Sequence, residues 1–311
     1  MLCLITGGAG FIGSHLAEFL LNDGHNVIIL DDFSTGSRKN IKAIRSRITL
    51  VTGDIRKKGV INAVMNGVDI VFHLAAIPRV PLSVAEPWRT NSVNIDGMLS
   101  VLIAARDNGV KRFVFASSSS VYGCENEMPY TEDMKPGPLS PYALHKLTGE
   151  LYCKQFYNLY GLETVSLRYF NVYGPKQDAG SEYSVVIPKF VEQIKENSSP
   201  TIFGDGEQSR AFVHVSDVVA VTKKVALAPT EKVAGKVFNV AGEEKFTIKE
   251  LASKLISMLG KDSVTPVFLD ERAGDLKHSF ADMSGLRDAI GFVPGTTLEA
   301  GLVTVIDYLA K

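Results

Sequence analysis

The sequence predicts an α/β fold: a doubly wound parallel sheet followed by a smaller C-terminal α/β lobe. Three observations carry this. Short runs rich in β-branched residues ("LCLIT", "NVIILDD", "ITLVTGDI", "DIVFHLAA", "RFVFASS", "ETVSLRYF") alternate with helical patterns such as "GSHLAEFLLNDG" and "SPYALHKLTGELYCKQFYNLYG". That is the rhythm of βαβ crossovers. The runs are apolar at nearly every position, as strands buried on both faces are. The rhythm changes after about residue 175, where "YGPKQDAG" and "NSSPTIFGDGEQ" bring in proline and glycine. The expected organisation is a nucleotide-binding domain over 1–174, rejoined by about 211–241 through "KVFNVAG". A second lobe is expected over 175–210 and 242–311.

The first strand runs into "ITGGAGFIGSH", with Gly7, Gly10 and Gly13 between strand and helix. Glycine permits a tight turn and close backbone approach, and the helix N-terminus offers free N–H groups to a pyrophosphate. A glycine triplet alone also fits a plain strand–helix turn; the strand–loop–helix context makes it a Rossmann-type dinucleotide loop. The second strand ends in Asp31-Asp32. A carboxylate there takes both ribose hydroxyls of an adenosine and repels a 2′-phosphate, which favours NAD over NADP. Arg38 and Lys39 nearby read as solvated loop charges. The run "NSVNIDGMLSVLIAARDNG" is expected as one helix leading to the strand "RFVFASS", which ends in Ser117, Ser118, Ser119 and Ser120.

The next helix, "SPYALHKLTGE", places Tyr142 and Lys146 four apart, on one face. Such a pair alone is as readily an aromatic–aliphatic contact on a helix surface. The order of glycine loop, serine-ended strand and helix gives it a chemical reading. A phenol has a pKa of about 10. A lysine ammonium and an oxidised nicotinamide would each lower it, one opposite charge being worth about one to three units. The phenol would then exchange protons with an alcohol near neutral pH, while a serine hydroxyl shares the substrate oxygen.

Bulk composition sets limits on this reading. The 311 residues carry a net charge of −1, which argues against a broad nucleic-acid or membrane footprint. No apolar run approaches the roughly 20 residues that cross a bilayer. The chain opens on a strand-like segment without a charged leader, so no signal peptide is expected. The three cysteines (Cys3, Cys124, Cys153) are odd in number and lack metal spacing, and the six histidines fall singly. A reduced, cytoplasmic setting and no metal are the expectation.

At the level of whole motifs the sequence resembles the extended short-chain dehydrogenase/reductase family, and within it the UDP-hexose 4-epimerases. The resemblance rests on "TGGAGFIGSH", "LDDFSTG", "GDI" at 53–55, "HLAA" at 73–76, "SSSSVYG", "SPYALHK", "LRYFNVYGP", "GDGEQSRAFVHVSD" and "ERAGDLKHSFAD". It implies Tyr142 as base, Lys146 as its pKa-lowering and ribose-binding partner, and Ser118 as the catalytic hydroxyl. It implies NAD contacts from Phe11 and Ile12 beside the three glycines, and from Asp31, Asp32, Ser34, Thr35 and Gly36. Further NAD contacts are implied at Asp54, Ile55, Leu74, Ala75, Ala76, Asn94, Ser117 and Tyr169.

The same resemblance implies a UDP-sugar site from Ser118, Ser120, Tyr142, Asn171, Val186, Ile202, Phe203, Arg210, Arg272, Asp275 and Ser279. Two arginine forks on a diphosphate make physical sense. Ser117 and Ser119 are expected to satisfy backbone at the strand end. Related 4,6-dehydratases and decarboxylases carry an acid just before "VYG", where this chain has Ser120, and uronate 4-epimerases tend to have threonine at Asn171. Ser279 stands where glucose-restricted epimerases have a tyrosine, which leaves room for an N-acetyl group. The implied activity is NAD-dependent 4-epimerisation of UDP-GlcNAc/UDP-GalNAc, UDP-glucose/UDP-galactose, or both. The alternatives are a UDP-glucuronate 4-epimerase, another nucleotide-sugar oxidoreductase or dehydratase, and a non-catalytic NAD-binding protein. A homodimer is implied through the helix carrying Tyr142 and the one before the serine strand, where Leu99, Leu102 and Ile103 are apolar.

Overall fold

The computed structural model describes residues 1–177, 186–271 and 277–310. Its centre is β1 (Leu2–Thr6), flanked in parallel by β2 (Asn26–Asp31) and β4 (Ile70–His73). Outside β2 lies β3 (Thr49–Thr52); outside β4 come β5 (Arg112–Ser118), β6 (Glu163–Tyr169) and β11 (Lys236–Val240). The order is β11-β6-β5-β4-β1-β2-β3, with every pairing parallel. Among the described residues this seven-stranded sheet is the largest, and "KVFNV" does return to it, pairing with β6.

Strands β1 to β5 each feed two cores, which explains their continuous hydrophobicity, while Val165 and Leu167 of β6 and Phe238 and Val240 of β11 lie in the first of them. In β4, Phe72 packs with Leu16, Leu20 and Val218 from α1 (Phe11–Asn22) and α8 (Val215–Leu227). Its neighbour Val71 turns the other way, toward Leu102, Phe113 and Phe156. That second layer comprises α2 (Lys58–Met65), α5 (Met98–Asp107) and α6 (Pro141–Tyr160). The sharp start of α6 is written locally: the Ser140 side chain accepts from Ala143 N–H at 3.2 Å, and Pro141 follows in the first turn. Its end is Gly161, at φ +71°.

The helix expected over 91–109 is divided. The short α3 (Val80–Ala85) and α4 (Pro87–Asn91) lead into a π-helical turn, Ser92–Gly97, before α5 begins. In that turn Asn94 accepts from Ile77 N–H at 2.8 Å and donates to Ile77 C=O at 3.1 Å. A side chain bonded to backbone seventeen residues away is a tertiary tie that helical periodicity does not encode. Leu102 is fully buried in the core, whereas Ile103 is exposed.

The rest of the chain builds a third core. It contains α7 (Val186–Lys195), α10 (Ile248–Met258) and α12 (Leu298–Leu309), meeting through Phe190, Leu251, Leu255 and Leu302. Small strands flank them: β7 (Val172–Tyr173) with β10 (Val213–His214), and β8 (Thr201–Phe203) with β13 (Val267–Leu269). A three-stranded piece joins β12 (Lys245–Thr247), β9 (Ser209–Ala211) and β14 (His278–Ser279). The short helices α9 (Thr230–Val233) and α11 (Ser284–Ile290) complete the chain. Arg112 of β5 ties the end of α8 to the sheet: it donates to Val225 C=O at 2.7 Å and pairs with Glu163. No described helix is long and apolar enough to cross a membrane.

Phe72→Ala should cost about 3–5 kcal/mol in urea unfolding, because its side chain is fully enclosed. Trp88→Ala, at 88% exposure, should stay within about 0.5 kcal/mol.

Candidate active site

The strand order reverses between β1 and β4, and the carboxyl ends of these strands open a cleft of about 490 Å³. A parallel sheet is built to bind a ligand at that point. The cleft is lined on one side by Gly7, Gly10, Phe11, Ile12 and Gly13. The glycines are required by space. Gly7 sits at φ +71°, and a Cβ on it would stand 2.7 Å from Ala75 N; one on Gly13 would stand 2.4 Å from Gly7 O. Gly10 supplies no side-chain cap, so the first turn of α1 faces the cleft with its N–H groups unclaimed by a side chain.

Asp31, 6% exposed, lines the cleft at the end of β2. Its Oδ2 accepts from Ala9 N–H and its Oδ1 from Phe33 N–H, both at 2.8 Å. Burial pushes its pKa up against the pull of these two donors. Asp32 accepts from Ser34 N–H at 2.9 Å and from the Ser34 hydroxyl at 2.6 Å. Asp32, Ser34 and Thr35 line the cleft; Gly36 does not, but a Cβ there would press within 2.8 Å of Asp31 Oδ1. Along the opposite wall run Asp54, Ile55, Leu74, Ala75 and Ala76. Asp54 is gripped by Arg56, whose Nη2 lies 2.6 Å away, and those hydrogen bonds hold its carboxyl below the usual range. Asn94 is not brought to the cleft; its amide is spent on Ile77.

At the other end stand Ser117, Ser118, Tyr142, Lys146 and Tyr169. One face of α6 lies along the end of β5. The phenol of Tyr142 and the Ser118 hydroxyl line the same end of the cleft, and Lys146 Nζ donates to Ala116 C=O at 2.7 Å. Burial brings the Lys146 pKa down to about 8, with Glu150 acting upward. Burial pushes Tyr142 up to about 12, and the Ser118 hydroxyl only moderates this. The expected lowering of the phenol by Lys146 is therefore not achieved by the chain itself: burial sets the direction, and the Ser118 hydroxyl, not the ammonium, is what acts against it.

The four serines separate. Ser118 Oγ accepts from Ser120 N–H at 3.2 Å and from the Ser120 hydroxyl at 3.0 Å, which leaves its own proton to donate elsewhere. Ser120 faces Ser118 and is not part of the cleft wall. Ser117 departs from expectation: its hydroxyl donates at 2.5 Å to the buried Glu150 carboxylate instead of serving the backbone. Ser119 opens the short 3₁₀ turn Ser119–Tyr122.

Sequence reasoning missed Arg79, Val172 and Gln177 in the wall. The Gln177 amide donates to Val172 C=O at 3.0 Å, while its Oε1 is buried with no partner among the described residues. Its signal was its place just after the "YGP" motif. Of the residues expected at the sugar, Ser118 and Tyr142 line the cleft, and the other described ones lie beyond its wall. Asn171, at φ +36°, donates to Ala211 C=O at 3.2 Å. Val186 begins α7, while Ile202 and Phe203 lie in β8. Arg210 in β9 donates to Ser209 C=O at 2.8 Å and stands opposite the buried Ser279 of β14. Arg272 and Asp275 lie outside the described residues.

Three kinds of comparison agree with this geometry. The family model for the NAD dependent epimerase/dehydratase family matches residues 3–241. A UDP-glucose 4-epimerase of Mycolicibacterium smegmatis is 36% identical over 99% of this chain and 98% of its own. The structure of a UDP-N-acetylglucosamine 4-epimerase from Methanobrevibacter ruminantium M1, in complex with UDP-N-acetylmuramic acid, is 41% identical. It superposes with a TM-score of 0.93 over 99% of this chain and 97% of that one. A UDP-glucuronic acid 4-epimerase from Bacillus cereus, with UDP-glucuronic acid and NAD, gives 34% identity and a TM-score of 0.91 over 100% and 99%. With matches that span the whole chain and a glycine loop, acid and Tyr–Lys helix in one cleft, the chain belongs to the NAD-dependent epimerase/dehydratase family, within the extended short-chain dehydrogenases/reductases.

Proposed function

We propose that the protein is a UDP-hexose 4-epimerase that keeps NAD as a bound prosthetic group. Its substrates on this reading are UDP-GlcNAc/UDP-GalNAc, and UDP-glucose/UDP-galactose as well. The observation that carries it is the meeting of Ser118, Tyr142 and Lys146 at the sheet's switch point. The residues present fit the cofactor. The glycine cradle would be filled by any Cβ at Gly7 or Gly13, and Asp31 sits at the ribose end of the same cleft. On this reading 1–174 with 211–241 hold NAD, and 175–210 with 242–311 hold the UDP-sugar.

NAD held by the glycine loop and Asp31 would supply reversible hydride acceptance for the sugar C4 carbon. The chain handles the proton. Tyr142 Oη removes it from the 4-hydroxyl and later gives it back, and the Ser118 hydroxyl bonds the same oxygen as the carbonyl forms. Lys146, anchored on Ala116 C=O, places positive charge beside the phenolate. Ser120 supplies no acid for elimination of water, which speaks against a dehydratase. Ser279, small and beside Arg210, supports room for an N-acetyl group. A UDP-glucuronate 4-epimerase is the second reading, favoured by the Bacillus cereus relative and opposed by Asn171. A dimer through α5 and α6 accords with exposed Ile103, Leu144, Leu151 and Leu159.

The direct test is incubation with UDP-GlcNAc and no added cofactor, watching for the C4 epimer by NMR. Inertness toward every UDP-hexose, even with NAD supplied, would sink the reading. Tyr142→Phe should lower turnover by about 10²–10⁴ while extracted NAD content stays unchanged. Ser118→Ala should cost about 10²–10³ in kcat and Ser119→Ala far less; equal losses would refute the assigned roles. Ser279→Tyr should remove N-acetylated turnover and spare plain hexoses.

Lys146 gives a stability signature. Its pKa is about 8 folded against an ordinary 10.5, so the folded state carries a penalty that is full below pH 8. The penalty fades between those values, because there the unfolded chain holds a proton that the folded chain has released. Lys146→Met should therefore raise the unfolding midpoint at pH 7, with the gain shrinking toward pH 10.5.

A further inference from the structure

Tyr142 and Lys146 occupy two turns of one helical face, and the next turn of that face carries Glu150. All three meet the end of β5. Tyr142 lines the cleft beside Ser118, Lys146 Nζ donates to Ala116 C=O, and Glu150 Oε1 accepts from Ser117 Oγ at 2.5 Å. Glu150 is 4% exposed and is also held by Arg168, 3% exposed, through Nε at 2.9 Å and Nη2 at 2.7 Å. Arg168 faces Ser117 in the β5–β6 register. The carboxylate thus fastens α6 to two adjacent strands, directly beneath the reacting groups.

Proposed function leaves this cluster without a role. A buried ion pair is weak evidence for stability, since apolar residues of similar volume often replace one at little cost. Its geometry suggests what else it does. We infer that Glu150 is a positioning residue for proton transfer: clasped by Arg168 and Ser117, it sets the register of α6 on β5 and so the placing of Tyr142 and Lys146 against Ser118. The inference rests on the epimerase reading only for the reaction it serves.

The charge of Glu150 has a second effect, because it lies one turn from Lys146. Other groups around the pair do not replace it. His73 on β4 and His145 on α6 are held below the ordinary histidine range by burial and stay neutral at pH 7. Burial likewise pushes Tyr122, on the turn after β5, and Cys153 on α6 upward, so both stay protonated. Glu132, near Arg168, is pushed up by burial as well. Glu150 is the charge that favours the Lys146 ammonium.

The test compares Glu150→Gln with the paired replacement Glu150→Met/Arg168→Met in the full-length, NAD-loaded protein. The pair removes both charges together, so no unpaired buried charge is left to prevent folding. Three readouts are taken: thermal unfolding, the pH profile of kcat, and the titration of the lysine ¹³Cε signal that is absent in Lys146→Arg. The paired variant is expected to recover a wild-type unfolding midpoint and to lose at least about tenfold in kcat, the scale of a misplaced proton-transfer group. The alkaline limb of its kcat profile and the Lys146 signal are both expected to titrate about one unit lower. Wild-type kcat and an unmoved Lys146 titration in the paired variant would overturn the inference and leave Glu150 a structural residue. The ¹³C titration needs no substrate, so it reports even if the wild-type protein epimerises nothing, and the two failures stay distinguishable.

Discussion

The backbone of Gly7 lies against that of Ala75 more closely than any side chain would permit. This contact brings the exits of β1 and β4 together, and the cleft follows from it. With the two exits pinched, α1 starts directly over the glycine loop and Asp31 reaches Ala9 across the turn. A Cβ at Gly7 would force the loop away from Leu74–Ala75 and open the wall that the cofactor needs. Ala75, Asp31 and the start of α1 therefore form one assembled unit, and no member can shift without the others.

On the other side of the cleft the constraint is desolvation. Lys146 and Tyr142 are both pushed toward neutrality by burial, in opposite pKa directions. Of the two, the lysine alone carries a cost at neutral pH, since the phenol is neutral there whether folded or unfolded, and that cost falls on a group proposed to assist proton transfer. Stability sacrificed at reacting groups is a common pattern in enzymes. Elsewhere the buried polar groups are compensated: Arg112 with Glu163 and Val225 C=O, Arg168 with Glu150, and Tyr122 with Asn239 at 2.6 Å.

Much of this was legible because it is local. The glycine spacing, the acid ending β2 and the Tyr–Lys pair on one helical turn are short-range patterns tied to backbone geometry. What escaped is long-range. Ser117 was expected to serve the backbone because serines at strand ends often do. Its partner Glu150 is 33 residues away, and only the docking of α6 reveals it. Asn94 was placed under the cofactor, yet its amide is claimed by Ile77 through a π-helical turn that apolar periodicity cannot show. Leu102 and Ile103, neighbours with the same hydropathy, parted into core and surface once α5 took its rotation. Gln177 offered only its place after "YGP" as a signal, and nothing in a lone glutamine says that one of its atoms will be buried with no partner among the described residues.

The pairing of β6 with β11 has an architectural consequence. Tyr169 and Val240 are partners in register, and from these two neighbouring strand ends the chain departs for the lobe, once after each. Both stems thus spring from points about 5 Å apart, the spacing of adjacent strands. The first excursion returns through β10 and α8 to β11, and closing it at a greater length costs only logarithmically; the second leaves the sheet for good. The lobe is in effect a graft with a standard socket. Its segments can be exchanged or lengthened while the strand order, the glycine loop and the α6–β5 register stay as they are.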